Sequence, residues 1–144
     1  MLTFSGKGIR LCALLLCISV PTGVFAEVPA SYRVHVAVSL DAPSDLITNA
    51  AICENNKICN VVSDQARGID VTLKLHSNAT SSFGELTVRC KDECSFDSGK
   101  NAIIFTKDRI FEFFQGRDAM EIPLVLKPRT KIGEISLIIE QAQH

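Results

Sequence analysis

The residues in this sequence with the most distinctive chemistry are its cysteines. Six occur among the 144 residues: two lie in an apolar N-terminal run, and the others are Cys53, Cys59, Cys90 and Cys94. A thioredoxin-type redox centre places two cysteines two residues apart at the start of a helix, and structural zinc sites use similarly close ligands. Here the pairs enclose five and three residues. This spacing favours structural disulfides over a metal site or a redox centre.

The N-terminal segment indicates export. A short basic region containing Lys7 and Arg10 precedes an unbroken apolar run over residues 11–20, and Pro21 then breaks any helix. We predict a signal peptide over residues 1–26 that is cleaved after Ala26. The alternative is a membrane anchor, which would need about 20 apolar residues. The mature chain would be secreted or periplasmic, where cysteines are oxidised.

Four cysteines in an exported chain allow three disulfide connectivities. We favour Cys53–Cys59 with Cys90–Cys94, and the two crossed patterns remain as alternatives. Residues 84–96 alternate between apolar and polar on both sides of a polar tip, which predicts a hairpin closed by its cysteines. Residues facing each other across such a ladder lie about 5.5 Å apart, which suits a disulfide.

Length and charge limit the class of protein. Removing 26 of the 144 residues leaves 118, enough for one domain over residues 27–144. The chain has 15 basic and 16 acidic residues, and the signal peptide removes two of the basic ones, so the mature net charge is −3. This charge argues against nucleic acid or an anionic membrane as partner. We also expect no membrane span in the mature chain, because no second apolar run has the required length.

Short alternating segments separated by turn residues predict an all-β chain. Residues 46–52 show no clear period and are expected to form a helical turn or an irregular connection. About seven to eight short antiparallel strands, spaced near 10 residues apart, indicate a single immunoglobulin-like β-sandwich. The segments with strand character are residues 32–40, 58–63, 69–76, 84–90, 102–106, 109–114, 120–126 and 132–140.

No catalytic motif can be assembled from the sequence. The histidines are His35, His76 and His144, and the first two fall on the polar faces of predicted strands. No nucleophile elbow, zinc-protease motif or phosphate-binding glycine loop is present. We therefore predict that the protein is not an enzyme and needs no cofactor. A hydrolase or a thiol-redox enzyme remains a remote alternative.

Two polar loops raise the question of a bound ion or a modification. Asp92, Glu93 and Asp97 could supply oxygen ligands to calcium, but they match no calcium-loop pattern, and a solvated turn is the favoured interpretation. We expect no metal. Asn78 begins an Asn-Ala-Thr triplet, which would accept a glycan only in a host that glycosylates.

The aromatic segment 109–114 departs from simple alternation. Within residues 110–114, Ile110 and Phe114 fall on the face opposite Phe111 and Phe113, and only Glu112 is polar. One interpretation is that a neighbouring loop covers the outer face of this strand. The other is an exposed apolar patch around Ile110 and Phe114 that contacts a protein partner.

These observations predict an exported, non-enzymatic binding or assembly module with a protein partner of unknown identity. The alternative is a small secreted inhibitor-like domain that presents a disulfide-closed loop, Lys91, Asp92 and Glu93, to its target. A loop held rigid by a disulfide loses less entropy on binding, which suits that role.

Overall fold

The computed structural model describes residues 31–78, 81–117 and 128–142, and within them the chain forms nine strands and no helix. The predicted signal peptide, the strand predicted at residues 120–126, and Ala79 and Thr80 of the glycosylation triplet lie outside the described residues. The strands are β1 Ser31–Asp41, β2 Ser44–Glu54, β3 Ile58–Asp64, β4 Ile69–Ser77, β5 Ser82–Cys90, β6 Cys94–Phe96, β7 Ala102–Phe105, β8 Ile110–Gln115 and β9 Lys131–Gln141.

The strands form two antiparallel sheets. The five-stranded sheet has the order β2-β1-β9-β8-β6, and the four-stranded sheet has the order β3-β4-β5-β7. This confirms the predicted all-β class with antiparallel strands, although the described residues contain nine strands rather than seven or eight.

The core lies between the two sheets and follows from the alternation of the strands. In β1, Val34, Val36 and Val38 point inward and are at most 3% exposed. Strand β4 contributes Val71 and Leu73 in the same way. Both strands are rich in β-branched or apolar residues at every second position, which is the pattern of a strand with one buried face. The alternation in the sequence therefore identifies the core correctly in these strands.

Strand β2 differs from the expectation of a helical turn or an irregular connection. It pairs with β1 over its whole length, from Ser44 opposite Asp41 to Glu54 opposite Ser31. Its alternation is hidden because apolar residues occur on both faces, with Leu46 and Ile52 exposed and Cys53 buried. A strand with apolar residues on both faces has no clear period of two.

Both favoured disulfides are present, but the expected hairpin at Cys90–Cys94 is wrong. Cys90 ends β5 in the four-stranded sheet, whereas Cys94 begins β6 in the five-stranded sheet. Strand β5 already pairs with β4 on one side and with β7 on the other, so β6 has no free edge of β5 to join. The chain instead crosses from one sheet to the other, and β6 pairs with β8.

The two disulfides therefore tie one sheet to the other at opposite ends of the molecule. Cys53–Cys59 joins the end of β2 to the start of β3 across a Cα–Cα distance of 5.4 Å, and Cys90–Cys94 spans 5.7 Å. Both distances fall within the usual range for a disulfide.

Strand β9 is central in the five-stranded sheet, and Gly133 allows its close approach to β1. A Cβ atom at Gly133 would lie 2.1 Å from the carbonyl oxygen of Ser39. That oxygen belongs to the backbone of a paired strand and has little freedom to move. The pairing of β9 with β1 therefore requires glycine at this position.

Gly133→Ala should destabilise the protein by about 3 kcal/mol, because overpacking against fixed backbone forces strand displacement. The measurement is the free energy of unfolding in urea. Ser136→Ala, on the outer face of the same strand, is the control and should change stability by less than about 0.5 kcal/mol. Equal effects of the two substitutions would contradict the close approach at Gly133.

Replacing Cys90 and Cys94 together by alanine should lower the free energy of unfolding by about 2 kcal/mol, because the disulfide closes a very short loop. The Cys53→Ala, Cys59→Ala double variant closes a loop of similar length and should lose a similar amount. Urea unfolding of both variants beside the oxidised protein gives these values. If either variant fails to fold, its disulfide contributes far more to stability than the short loop predicts, contrary to this expectation.

Candidate protein-interaction surface

The outer face of the four-stranded sheet is polar along its centre. Strands β4 and β5 place residues of opposite charge, or paired threonines, directly across from one another. These pairs are Asp70 with Arg89, Thr72 with Thr87, and Lys74 with Glu85. Cross-strand pairs of this kind suit a surface in contact with water.

Two exposed isoleucines also lie on this face, but they do not form a patch. Ile58, which is 76% exposed, belongs to edge strand β3, and Ile104, which is 70% exposed, belongs to edge strand β7. The two polar strands β4 and β5 separate them. Single apolar residues of this kind are normal on protein surfaces.

The outer face of the five-stranded sheet is different, because large apolar side chains occur on three of its strands. Ile110 of β8 and Ile138 of β9 are each 62% exposed, and Leu46 and Ile52 of edge strand β2 are 60% and 57% exposed. Contiguous exposed apolar surface of this kind is uncommon on a monomer and typically marks a site of interaction.

Short side chains connect these residues across the sheet. Ala37 of β1 lies opposite Thr48 on one side and Ser136 on the other, while His35 lies opposite Ala50 and Ile138. Ile110 in turn lies opposite Ser136. We term the surface formed by Ala37, Thr48, Ala50, Ile110, Ser136 and Ile138 the apolar band.

A shallow depression of about 510 Å³ lies in this band, over Ala37, Thr48 and Ala50. His35, Ser136 and Ile138 border it. The depression exists because strands β1 and β2 carry small side chains at these positions, whereas the neighbouring Ile138 is long. An apolar side chain from another protein could occupy it.

The two apolar residues predicted as a patch on β8 have different environments. Ile110 belongs to the apolar band, but Phe114 is half-buried, and the guanidinium of Arg129 lies 5.2 Å from the centre of its ring. A change of register between Phe113 and Phe114 displaces this end of the strand. Ile110 and Phe114 are therefore not brought together into one exposed patch.

Arg129 is fixed over Phe114 by several hydrogen bonds. Its Nη1 donates to the hydroxyl of Ser95 at 2.6 Å, and its Nη2 donates to the carbonyl oxygens of Phe96 at 3.1 Å and Asp97 at 2.7 Å. These contacts cover part of the short edge strand β6. For Phe114 this agrees with the interpretation that a neighbouring loop covers the strand, whereas Ile110 is left exposed.

The loop residues Lys91, Asp92 and Glu93 are exposed and lie beside the end of β8 that is remote from Ile110. The amide of Lys91 donates to the carbonyl of Gly68 at 2.7 Å, and the amide of Gly116 donates to the carbonyl of Glu93 at 2.6 Å. With the Cys90–Cys94 disulfide, these bonds fix the backbone of the loop while its side chains face solvent. The loop and Ile110 form two separate surfaces.

A groove of about 480 Å³ adjoins this loop, with Leu40, Pro43, Ile69 and Ile132 among its apolar residues and Lys91 at its margin. The backbone at Gly68, beside the groove, packs closely against Lys91. Gly68 has a positive φ of 65°, and a Cβ atom there would lie 2.6 Å from the Cβ of Lys91.

Arg67 also borders this groove and is held by two carboxylates. It forms ion pairs with Asp45 of β2 and Asp64 of β3, so it bridges the two sheets. Hydrogen bonds from Arg67 lower the pKa of both carboxyl groups, and for Asp64 the largest cause is its bond from the backbone amide of Arg67. The guanidinium of Arg67 is therefore engaged in ion pairs that connect the two sheets.

His76 has a well-defined environment that does not resemble a catalytic one. Its ring stacks on Phe83 with the ring centres 4.5 Å apart, and its Nδ1 lies 2.8 Å from Oδ1 of Asn56. A cleft of about 250 Å³ adjoins it, with Tyr32 and Arg109 also at its wall. The amide of Asn56 cannot relay a proton as a carboxylate could.

Within residues 31–78, 81–117 and 128–142, no group of three or more histidine, cysteine or acidic residues is placed to bind a metal ion. In the same ranges, no helix has the length and apolar character needed to cross a membrane.

The sequence reasoning missed most of the apolar band. Ile138 falls on the polar face of the closing strand, between Ser136 and Glu140, and this single apolar residue was a detectable signal. Leu46 and Ile52, which lie on β2 on either side of the band, were not assigned to a face because residues 46–52 were not expected to form a strand. Once β2 is placed, both residues lie on its outer face opposite Ser39 and Arg33.

Arg67→Met should lower the melting temperature at pH 7, and the difference from wild type should shrink as the pH falls below about 4. The reason is that Asp45 and Asp64 have lowered pKa values in the folded state, so their stabilising contribution is present above the unfolded carboxyl pKa and is lost as they become protonated. Thermal unfolding from pH 7 to pH 2 tests this. Lys100→Met, which removes an exposed cation without a described ion pair, is the control. A difference independent of pH would contradict the assignment.

In comparisons with known proteins, no family model, no curated protein and no solved structure matches this chain.

Proposed function

We propose that this protein is an exported, non-enzymatic binding or assembly module that contacts a protein partner through the outer face of its five-stranded sheet. The apolar band across that face carries the proposal. The band crosses strands β2, β1, β9 and β8, with His35 between Ala50 and Ile138, whereas the exposed isoleucines of the opposite sheet lie apart on its two edges.

The composition of the band suits a protein partner better than a small molecule or a charged polymer. Its depression is shallow and open, and it is lined by alanine, threonine, serine and isoleucine residues together with His35, Val36 and Asn49. Small-molecule sites are usually concave and enclosed, and nucleic-acid sites are rich in basic residues. A broad apolar centre with a polar rim is typical of a protein interface.

Export is the proposed setting for this interaction. The predicted signal peptide at residues 1–26 and the two disulfides support an extracellular or periplasmic location, because disulfides persist in oxidising compartments. We retain the immunoglobulin-like sandwich as the proposed architecture, which the two packed antiparallel sheets support.

The second candidate is an inhibitor-like domain that inserts the loop Lys91, Asp92 and Glu93 into a cleft of its target. The observation that favours it is the fixed backbone of the loop, which is held by a disulfide and by two hydrogen bonds from neighbouring segments. Such a loop would lose little conformational entropy on binding. This surface is polar and does not include the apolar band.

Ile138→Asp should reduce capture of the partner from the native exported fraction by at least about tenfold, since a buried charge in an interface costs several kcal/mol. Quantitative cross-linking to the tagged protein measures the capture. Ile104→Asp is the matched control, because Ile104 is equally large and exposed but lies on the other sheet. It should retain capture.

A third variant separates the two candidate functions. Replacing Lys91, Asp92 and Glu93 by serine should leave capture unchanged if the outer face is the interface. If this loop variant loses capture while Ile138→Asp retains it, the inhibitor-like function is correct and the proposal is wrong.

A further inference from the structure

We infer that a second copy of this chain is the partner that covers the apolar band, so that the protein forms a face-to-face dimer. This inference rests on the proposed function, because it takes the outer face of the five-stranded sheet as the interface. It specifies a two-fold axis that runs parallel to the strands and passes between β1 and β9. Strand β9 of each copy would then lie over β1 of the other.

The first argument is that a projecting residue and a matching depression lie side by side on the same face. Ile138 of β9 projects from the sheet and is 62% exposed. The adjacent strands β1 and β2 carry the depression over Ala37 and Ala50. Because the two-fold axis exchanges β1 and β9, it places Ile138 of each copy over His35 of the other, at the border of the depression. A surface with both features can bury both at once, as a two-fold interface requires.

The second argument is the position of two opposite charges. Arg33 of β1 and Glu140 of β9 lie directly opposite one another in the sheet, and both are exposed. The same axis brings Arg33 of one copy over Glu140 of the other, and this happens twice in the dimer. Complementary charges at the margin of an apolar centre fix the orientation of two partners.

The remaining residues of the face are compatible with this arrangement. Ser136 of one copy would lie over Ala37 of the other, and Ile110 would lie over Thr48, so these contacts join small or apolar side chains. Glu112 would lie over Leu46 of the other copy, and its carboxylate is already paired with Lys131 at 2.7 Å. No two like charges are brought directly together at the centre of the interface.

The size of the face is sufficient for a dimer. With strands about 4.8 Å apart and about 3.4 Å of rise per residue, the four strands β2, β1, β9 and β8 that the axis brings over one another present on the order of 600 Å². A standard protein interface uses about 800 Å² of surface from each partner. Sheets packed face to face approach to about 10 Å, as the two sheets within one sandwich do, and side chains of this size fill that spacing.

The test is the mass of the purified protein by sedimentation equilibrium over a range of concentrations. We expect a reversible dimer for the wild type. Ile138→Asp should raise the dissociation constant at least about tenfold, and the matched Ile104→Asp should leave it unchanged. A wild type that is monomeric at every concentration would overturn the inference, as would equal effects of the two substitutions.

A charge-exchange experiment tests the specific axis. Arg33→Glu creates a chain with acidic residues at positions 33 and 140, and Glu140→Arg creates one with basic residues at both. Each variant alone should self-associate at least about tenfold more weakly, whereas an equimolar mixture should form a heterodimer. Circular dichroism of each variant verifies folding. If the variants dimerise alone as well as the wild type does, or if the mixture does not associate, the proposed axis is wrong.

Different results would contradict the proposed dimer and the proposed function. If the wild type is monomeric but Ile138→Asp still abolishes capture of a different protein from the exported fraction, the outer face is an interface and only the second copy is excluded. If neither dimerisation nor capture responds to Ile138→Asp, the proposed function fails as well.

Discussion

The pairing of β9 with β1 is the constraint on which the five-stranded sheet depends. Among the strands that the structure describes, these two alone connect the hairpin of β1 and β2 to the pair β8 and β6. Gly133 permits the close approach, because any side chain there would collide with the backbone at Ser39. The resulting register places Val36 opposite Leu137 on the core side. A shift of β9 by one residue would turn its core-facing side chains, Ile135 and Leu137, toward solvent.

The same register determines the surface as well as the core. Because successive residues alternate between faces, burial of Ile135 and Leu137 necessarily exposes Ser136 and Ile138. Full burial of a large apolar side chain contributes about 1.5–3 kcal/mol. Four such residues lie partly exposed on the outer face, so their remaining burial could offset much of the roughly 4–15 kcal/mol lost on association. Ile58 and Ile104 of the opposite sheet are separated by two polar strands and have no comparable neighbours among the described residues of that face. This difference in contiguity, rather than exposure alone, distinguishes the two faces.

Sequence reasoning predicted the features that depend on local pattern. The alternation at residues 32–40 and 69–76 identified β1 and β4 together with their buried faces, and short spacing identified both disulfide pairs. It could not predict which strands pair, because pairing joins residues far apart in the chain. Hence Cys90 and Cys94 were expected within one hairpin although they belong to different sheets. For the same reason Ile110 was recognised as a candidate contact, but its connection to Ile138 and Ala37 through the sheet was not.

The disulfides and the apolar band serve different parts of the molecule. Cys53–Cys59 and Cys90–Cys94 lie at the corners where the chain crosses between sheets, and neither belongs to the band. Short disulfide loops add only about 2 kcal/mol each, so their main effect is to fix the shape of these corners. The backbone of the loop formed by Lys91, Asp92 and Glu93 is held in place by the Cys90–Cys94 disulfide. The band depends instead on the ladder between β1, β9 and β8, which is continuous backbone hydrogen bonding in the centre of a sheet. A surface built on such a ladder is rigid in both free and bound states, and this rigidity lowers the entropy that two flat faces lose when they pack together.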